Sequence, residues 1–157
     1  MINGAVMFPA YSNVLQYSQA AGELSVNGCH VGQGGGGPHC HADGYQSGRG
    51  IGMYNDNDYL NKTHPPLIGF GYDGVALFGR YRTTDTALLG YSTALDTFGG
   101  HNHDSIGYHY HAHTATATAS SAGPSAKTYT YTVRYLIKGA YAGAIDKIPG
   151  CVVAGQC

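Results

Sequence analysis

Apolar and polar positions alternate with period two along several short stretches of this chain. The 3.6 period of a buried helix is almost absent. Lys127 to Ile137 reads KTYTYTVRYLI and is the clearest strand. Tyr129, Tyr131, Val133 and Tyr135 line one of its faces, and Thr128, Thr130 and Thr132 the other. Thr114 to Thr118 alternates Thr with Ala and predicts a second strand with one small face. Ala5 to Phe8 predicts a short apolar strand stopped by Pro9, and Leu67 to Phe70 another. The best helix candidate is Asn13 to Ser25, cut short by Gly22. The pattern predicts a mostly β, single domain over residues 1–157, rich in turns and glycine, with little helix.

The same alternation runs through Gly99 to His113, GGHNHDSIGYHYHAH. Extended backbone puts His109, His111 and His113 on one face and Tyr108, Tyr110 and Ala112 on the other. His101 and His103 also share a face, and Asp104 to Gly107 holds turn formers that can fold one strand back beside the next. A second HxH pair, His39 and His41, flanks Cys40, with His30 a few residues before.

An offset of seventy links the two regions. Asn3-Gly4 matches Asp73-Gly74, Phe8 matches Phe78, and Tyr11 matches Tyr81. His39 falls on His109, His41 on His111, and Ala42 on Ala112. These matches predict an internal repeat, residues 3–42 and 73–112, and two pseudo-repeated halves.

Composition changes the picture in two ways. Charged residues are only 11 % and the formal net charge is -1. That gives no electrostatic case for binding nucleic acid. The low charge, the abundant glycine and the Thr/Ala and Thr/Tyr alternation also allow edge-to-edge assembly into a homo-oligomer or fibre. No apolar run approaches the length of a membrane span, and no signal peptide is recognisable.

Four cysteines, Cys29, Cys40, Cys151 and Cys157, allow three pairings; Cys29–Cys40 with Cys151–Cys157 is the most economical. An even count in such a composition suits an oxidising compartment. No CxxC pair is present. Asn55, Asp56, Asn57 and Asp58 offer oxygen ligands for calcium but lack the full calcium-loop pattern. Asn61-Lys62-Thr63 is a glycosylation sequon.

Clustered neutral imidazoles are the strongest chemical signal, because imidazole is a preferred ligand of copper and zinc. The expected core ligands are His39, His41, His109 and His111, converging from the two halves, with His30, His101 and His103 next. Asp96 and Asp104 are the candidate outer acceptors for the free ring nitrogens, and His64 is a weaker acid or base candidate. There is no HExxH and no triad signature, so an enzyme is the less favoured reading; a copper oxidase or metal-dependent hydrolase would need an open coordination position.

The residues HPPLIGFGYDGVALFG, then Leu95-Asp96, then GGHNHDSIGYHYHAH resemble the YHYH domain, whose name is the tetrapeptide found here at Tyr108-His109-Tyr110-His111. The resemblance covers most of the chain and implies a secreted or lipid-anchored protein. Its departures lie in the first copy, where Pro38-His39-Cys40-His41 replaces the tyrosines, and after Leu95-Asp96, where no cysteine follows. Together these features predict a secreted transition-metal-binding protein, copper favoured and zinc next. The alternative is an extracellular structural subunit forming fibres or sheets.

Overall fold

The computed structural model describes residues 1–11, 22–48, 50, 52–120, 127–138 and 140–145. Eleven strands run through them: β1 Val6–Met7, β2 Cys29–Val31, β3 Pro38–Cys40, β4 Tyr45–Gln46, β5 Tyr54–Asn55, β6 Leu67–Phe70, β7 Ala76–Phe78, β8 Gly100–His103, β9 Gly107–His111, β10 His113–Ser120 and β11 Thr128–Tyr135. The only helical elements among the described residues are short 3-10 turns, Gln33–Gly35 and Asp56–Tyr59. The fold is a mostly β single domain, as the period-two pattern predicts. Of the expected helix, residues 13–21 lie outside the described residues, and residues 22–25 are not helical.

Two small sheets position the histidines. The first has the order β1-β3-β2, with β1 parallel and β2 antiparallel to the central β3. The second has the order β6-β7-β9-β8, with β7 parallel and β8 antiparallel to β9. Contacts recur between them at a fixed spacing. Met7 faces Cys40 in the first and Leu77 faces Tyr110 in the second, each partner seventy positions on. His30 faces His39, and His101, seventy-one positions on from His30, faces His109. The turn before β1 recurs before β7: the amide of Ala5 donates to Asn3 Oδ1, and that of Val75 to Asp73 Oδ1.

Met7, Cys40, Leu77 and Tyr110 meet Tyr45, Tyr54, Tyr59, Ile68, Ala112, Leu136 and Ile137 in one core. Because both sheets contribute to it, neither half is a separate folding unit. Tyr110 lies under the imidazole face, and its hydroxyl donates to Asp73 Oδ2 at 2.6 Å. Strands β10 and β11 form a hairpin of eight antiparallel pairs. The strand regularity breaks at Ala112, so His113 does not share the face of His109 and His111. It starts β10 opposite Tyr135 and stacks on that ring, 5.1 Å between centroids.

A disulfide joins Cys29 to Cys40, which face each other across β2 and β3. Cys151 and Cys157 lie outside the described residues. No helix of the described residues is long and apolar enough to cross a membrane.

Candidate metal centre

Period two does the first part of the work. Along β9, His109 and His111 point to one face while Tyr108 and Tyr110 point to the other. Antiparallel pairing sets His101 directly across from His109 and His103 across from Gly107. Parallel pairing sets Phe78 beside His111. The result is a sheet face of four imidazoles edged by an aromatic ring. His101, His109 and His111 are buried and His103 is half-buried.

A loop then closes over this face. His64 precedes Pro65-Pro66, and a following proline keeps its backbone extended. Its ring centroid lies 5.0 Å from His109, 5.0 Å from His111 and 5.3 Å from His103. His64, His103, His109 and His111 each offer a ligand atom, and these four atoms lie within 4.8 Å of one another. His101 adjoins the group, its ring 4.9 Å from those of both His109 and His111.

Hydrogen bonding decides which nitrogen faces inward. The Nδ1 of His64 lies 3.0 Å from the Pro65 carbonyl, and that of His101 2.9 Å from the Thr93 carbonyl. The Nδ1 of His109 lies 2.7 Å from the Gly107 carbonyl, and that of His111 2.7 Å from the Gly79 carbonyl. The Nδ1 of His103 lies 3.0 Å from Asp104 Oδ2. Every one of these partners can only accept, so each ring carries its proton on Nδ1 and a lone pair on Nε2. The Nε2 atoms of His101, His103 and His111 are buried with no hydrogen-bond partner among the described residues. Those of His64 and His109 face each other at 3.2 Å. Two lone pairs at that distance repel unless a cation lies between them.

Burial favours the neutral form of His64, His101, His109 and His111. It holds the pKa of His111 down to about 2 and that of His109 down to about 4, with neighbouring imidazoles adding to the effect. Burial also lowers His64 and His101. Neutral imidazole is the ligating form, so the electrostatics and the tautomers favour the same state. The backbone adapts to this centre at Gly90, whose φ is +76°. A Cβ there would sit 2.2 Å from His103 Nε2.

The second HxH pair belongs to another group. His30, His39 and His41 offer three ligand atoms within 4.8 Å of one another. His39 Nδ1 lies 3.0 Å from the Gly37 carbonyl, and His41 Nδ1 2.6 Å from the Pro9 carbonyl. The structure therefore brings His109 and His111 together with His103 and His64, and His39 and His41 together with His30. It does not bring the two HxH pairs into one group as expected from the sequence, because each pair sits at the centre of its own sheet.

Of the expected outer acceptors, Asp104 bonds His103. Asp96 instead holds the turn before β8, accepting from the amides of Phe98 and Gly100 and from the Tyr108 hydroxyl. Burial alone would raise its pKa; these hydrogen bonds bring it below the usual carboxylate range. In the Asn55 to Asp58 stretch, the expected calcium ligands, the side chains of Asn55, Asp56 and Asp58 bond the protein. Asn55 and Asp58 form a capping box on the 3-10 turn. Asp56 accepts from the Tyr45 hydroxyl, Ser47 and the Gly48 amide, and pairs with Arg82.

His64 is the residue that sequence spacing undervalued as a ligand. No second histidine lies two positions away, so the strand rule gives it no face. The rigid Pro65-Pro66 that follows it is the available signal.

Searches of family models, of curated proteins and of solved structures each find no match to this chain.

Proposed function

We propose that this chain is a secreted transition-metal-binding protein whose principal centre is His64, His103, His109 and His111, with His101 beside them. One observation carries the reading: buried Nε2 lone pairs are aimed at one another and held there by acceptors on every Nδ1. Outer acceptors of this kind orient metal-ligating histidines and raise their basicity. The 3.2 Å between His64 Nε2 and His109 Nε2 is close to a tetrahedral edge, about 3.3 Å for metal–nitrogen bonds of about 2.0–2.1 Å.

An all-imidazole set suits copper or zinc, and its neutrality suits Cu(I) as well as the divalent ions. With four protein donors, the ion is held rather than offered to a substrate, which favours a binding or structural role over catalysis. The Cys29–Cys40 disulfide supports an oxidising, extracellular location, and the likeness to the YHYH domain supports the same.

The test is metal content. Protein stripped with a chelator and re-exposed to copper or zinc should retain about one equivalent tightly at this centre. His109→Ala with His111→Ala should abolish that equivalent, and His64→Ala alone should weaken it. Wild-type protein that retains neither metal overturns the reading.

A second reading, an extracellular subunit that assembles with copies of itself, is favoured by the β10–β11 hairpin. Its outer half, Thr118 paired with Thr130 and the neighbouring Thr128 and Tyr129, is exposed. A two-stranded ribbon of that kind is marginal alone and gains by docking on another copy. Negative-stain microscopy showing only monomers over a wide concentration range contradicts it.

A further inference from the structure

The three-histidine group of the first sheet stands in a one-to-one relation with part of the larger centre. His39 and His109 are seventy apart, as are His41 and His111, and their Nδ1 acceptors follow: Gly37 with Gly107, Pro9 with Gly79. His30 faces His39 as His101 faces His109. The shared unit is thus a trio of imidazoles on an antiparallel strand pair. The second sheet adds His103 and His64 to its trio. In the first sheet the place of His103 is taken by Gly32, whose amide reaches the Gly37 carbonyl just as His103 pairs with Gly107. No counterpart of His64 covers it among the described residues. A shallow groove of about 540 Å³, lined by Val6, Phe8, Gly32, Gly36, Gly37, Pro38 and His39, opens beside the trio instead.

We propose that His30, His39 and His41 form a second transition-metal site, with three protein donors and a fourth position that exchanges with small anionic or nitrogen-donor ligands from the groove. The acceptors on His39 and His41 Nδ1 leave both Nε2 atoms as donors. His30 Nε2 and His39 Nε2 approach to 2.9 Å. Without an ion, His30 satisfies this contact by donating its Nε2 proton; with one, it moves that proton to Nδ1 and ligates. His41 is buried, while His30 and His39 are half-buried, so the ion meets solvent on one side only. Three histidines with a free position is the donor set of an exchangeable site, in contrast to a closed four-donor one. Phe8 stacks on His39 at 4.2 Å and walls the groove with an apolar surface.

The disulfide belongs to this site and not to the other. Cys29 adjoins His30, and Cys40 lies between His39 and His41, so the bond ties together the two strands that carry the donors. The corresponding pair in the second sheet is Gly100 and Tyr110, which has no cross-link. Breaking the disulfide therefore weakens the open site selectively.

The experiment is a cobalt(II) titration of the chelator-stripped full chain, followed by its visible absorption spectrum and then by added azide. The expected result is two equivalents bound, with azide changing the spectrum of one. His30→Gln and His39→Gln should each remove the azide-sensitive equivalent and leave the other. Cys29→Ser with Cys40→Ser should weaken the azide-sensitive equivalent by about tenfold or more. His109→Ala with His111→Ala should do the converse and leave the azide response intact. The proposal rests on residues separate from the four-histidine centre. A single, azide-insensitive equivalent lost only in the His109/His111 variant overturns it and leaves that centre standing. Circular dichroism of His30→Gln, a half-buried position, confirms that any loss is not unfolding. An azide response that survives both single variants also overturns it.

Discussion

At the scale of the residue, each imidazole of the larger centre is held by its outer nitrogen, so its tautomer is set by a neighbouring backbone or carboxylate group. The cost of this arrangement shows at low pH. His109 and His111 are 0 % and 2 % exposed and titrate far below the ordinary value when folded. The unfolded chain takes up protons near pH 6.5, while the folded chain does not, so unfolding becomes more favourable as pH falls. Stability is fully present above pH 6.5 and declines from there toward the folded values. At pH 5 the metal-free protein should be less stable by about 2 kcal/mol for each of these two histidines. Urea melts of metal-free protein at pH 8 and pH 5 measure the difference; equal midpoints refute it. Gly90 offers a second test. Gly90→Ala places a methyl on His103 Nε2 at a φ that disfavours side chains. It should lower metal affinity by about tenfold or more in competition with a chelator, whereas Gly74→Ala, where nothing lies within 4 Å of a new Cβ, should leave affinity unchanged.

At the scale of the element, a three-residue strand is too short to stand alone, and β2 and β3 owe their pairing to what cross-links them. Closing the Cys29–Cys40 loop stabilises by about 2–3 kcal/mol in the chain-entropy account. Cys29→Ser with Cys40→Ser should therefore lower the thermal midpoint by several degrees, read by calorimetry. In the second sheet the equivalent anchoring is polar. Asp73 Oδ2 accepts from the Tyr110 hydroxyl and from the Gly143 amide. Asp73→Ala strips a partner from a buried tyrosine and should cost about 1–3 kcal/mol in chemical denaturation. The strands themselves were legible: β10 and β11 follow from alternation, Leu67–Phe70 from its apolar run, and the imidazole face of β9 from period two. What alternation cannot supply is the partner of a given face. His64 comes from a loop, 45 positions before His109, and only the closing of that loop over the sheet makes it a neighbour.

At the scale of the whole molecule, eight of the nine histidines fall into two groups on two sheets that share one core. The expected convergence of His39, His41, His109 and His111 on one or two ions is not what the structure shows, for a topological reason. His39 and His109 each face a histidine across their own sheet, and such places in two separate sheets need not adjoin. The offset was visible in the sequence; the arrangement of the two sheets was not, because it is fixed by which tyrosines and aliphatic side chains fill the space between them. A shared core also couples metal to fold. An ion bound only by the native state stabilises it in proportion to the logarithm of its free concentration over its dissociation constant. Chelation should thus lower the melting point of the whole domain in one transition; a two-step melt would contradict the single core.

X-ray absorption at the metal edge, on protein loaded with one equivalent of zinc or copper, reads the donors of the four-histidine centre most directly. The expected result is a first shell of nitrogen scatterers at about 2.0 Å, at least three of them imidazole by their outer-shell scattering, and loss of that pattern when the His109→Ala, His111→Ala double substitution is made in a His30→Gln, His39→Gln background. A first shell of oxygen alone, or a spectrum unchanged by the double substitution, would contradict it.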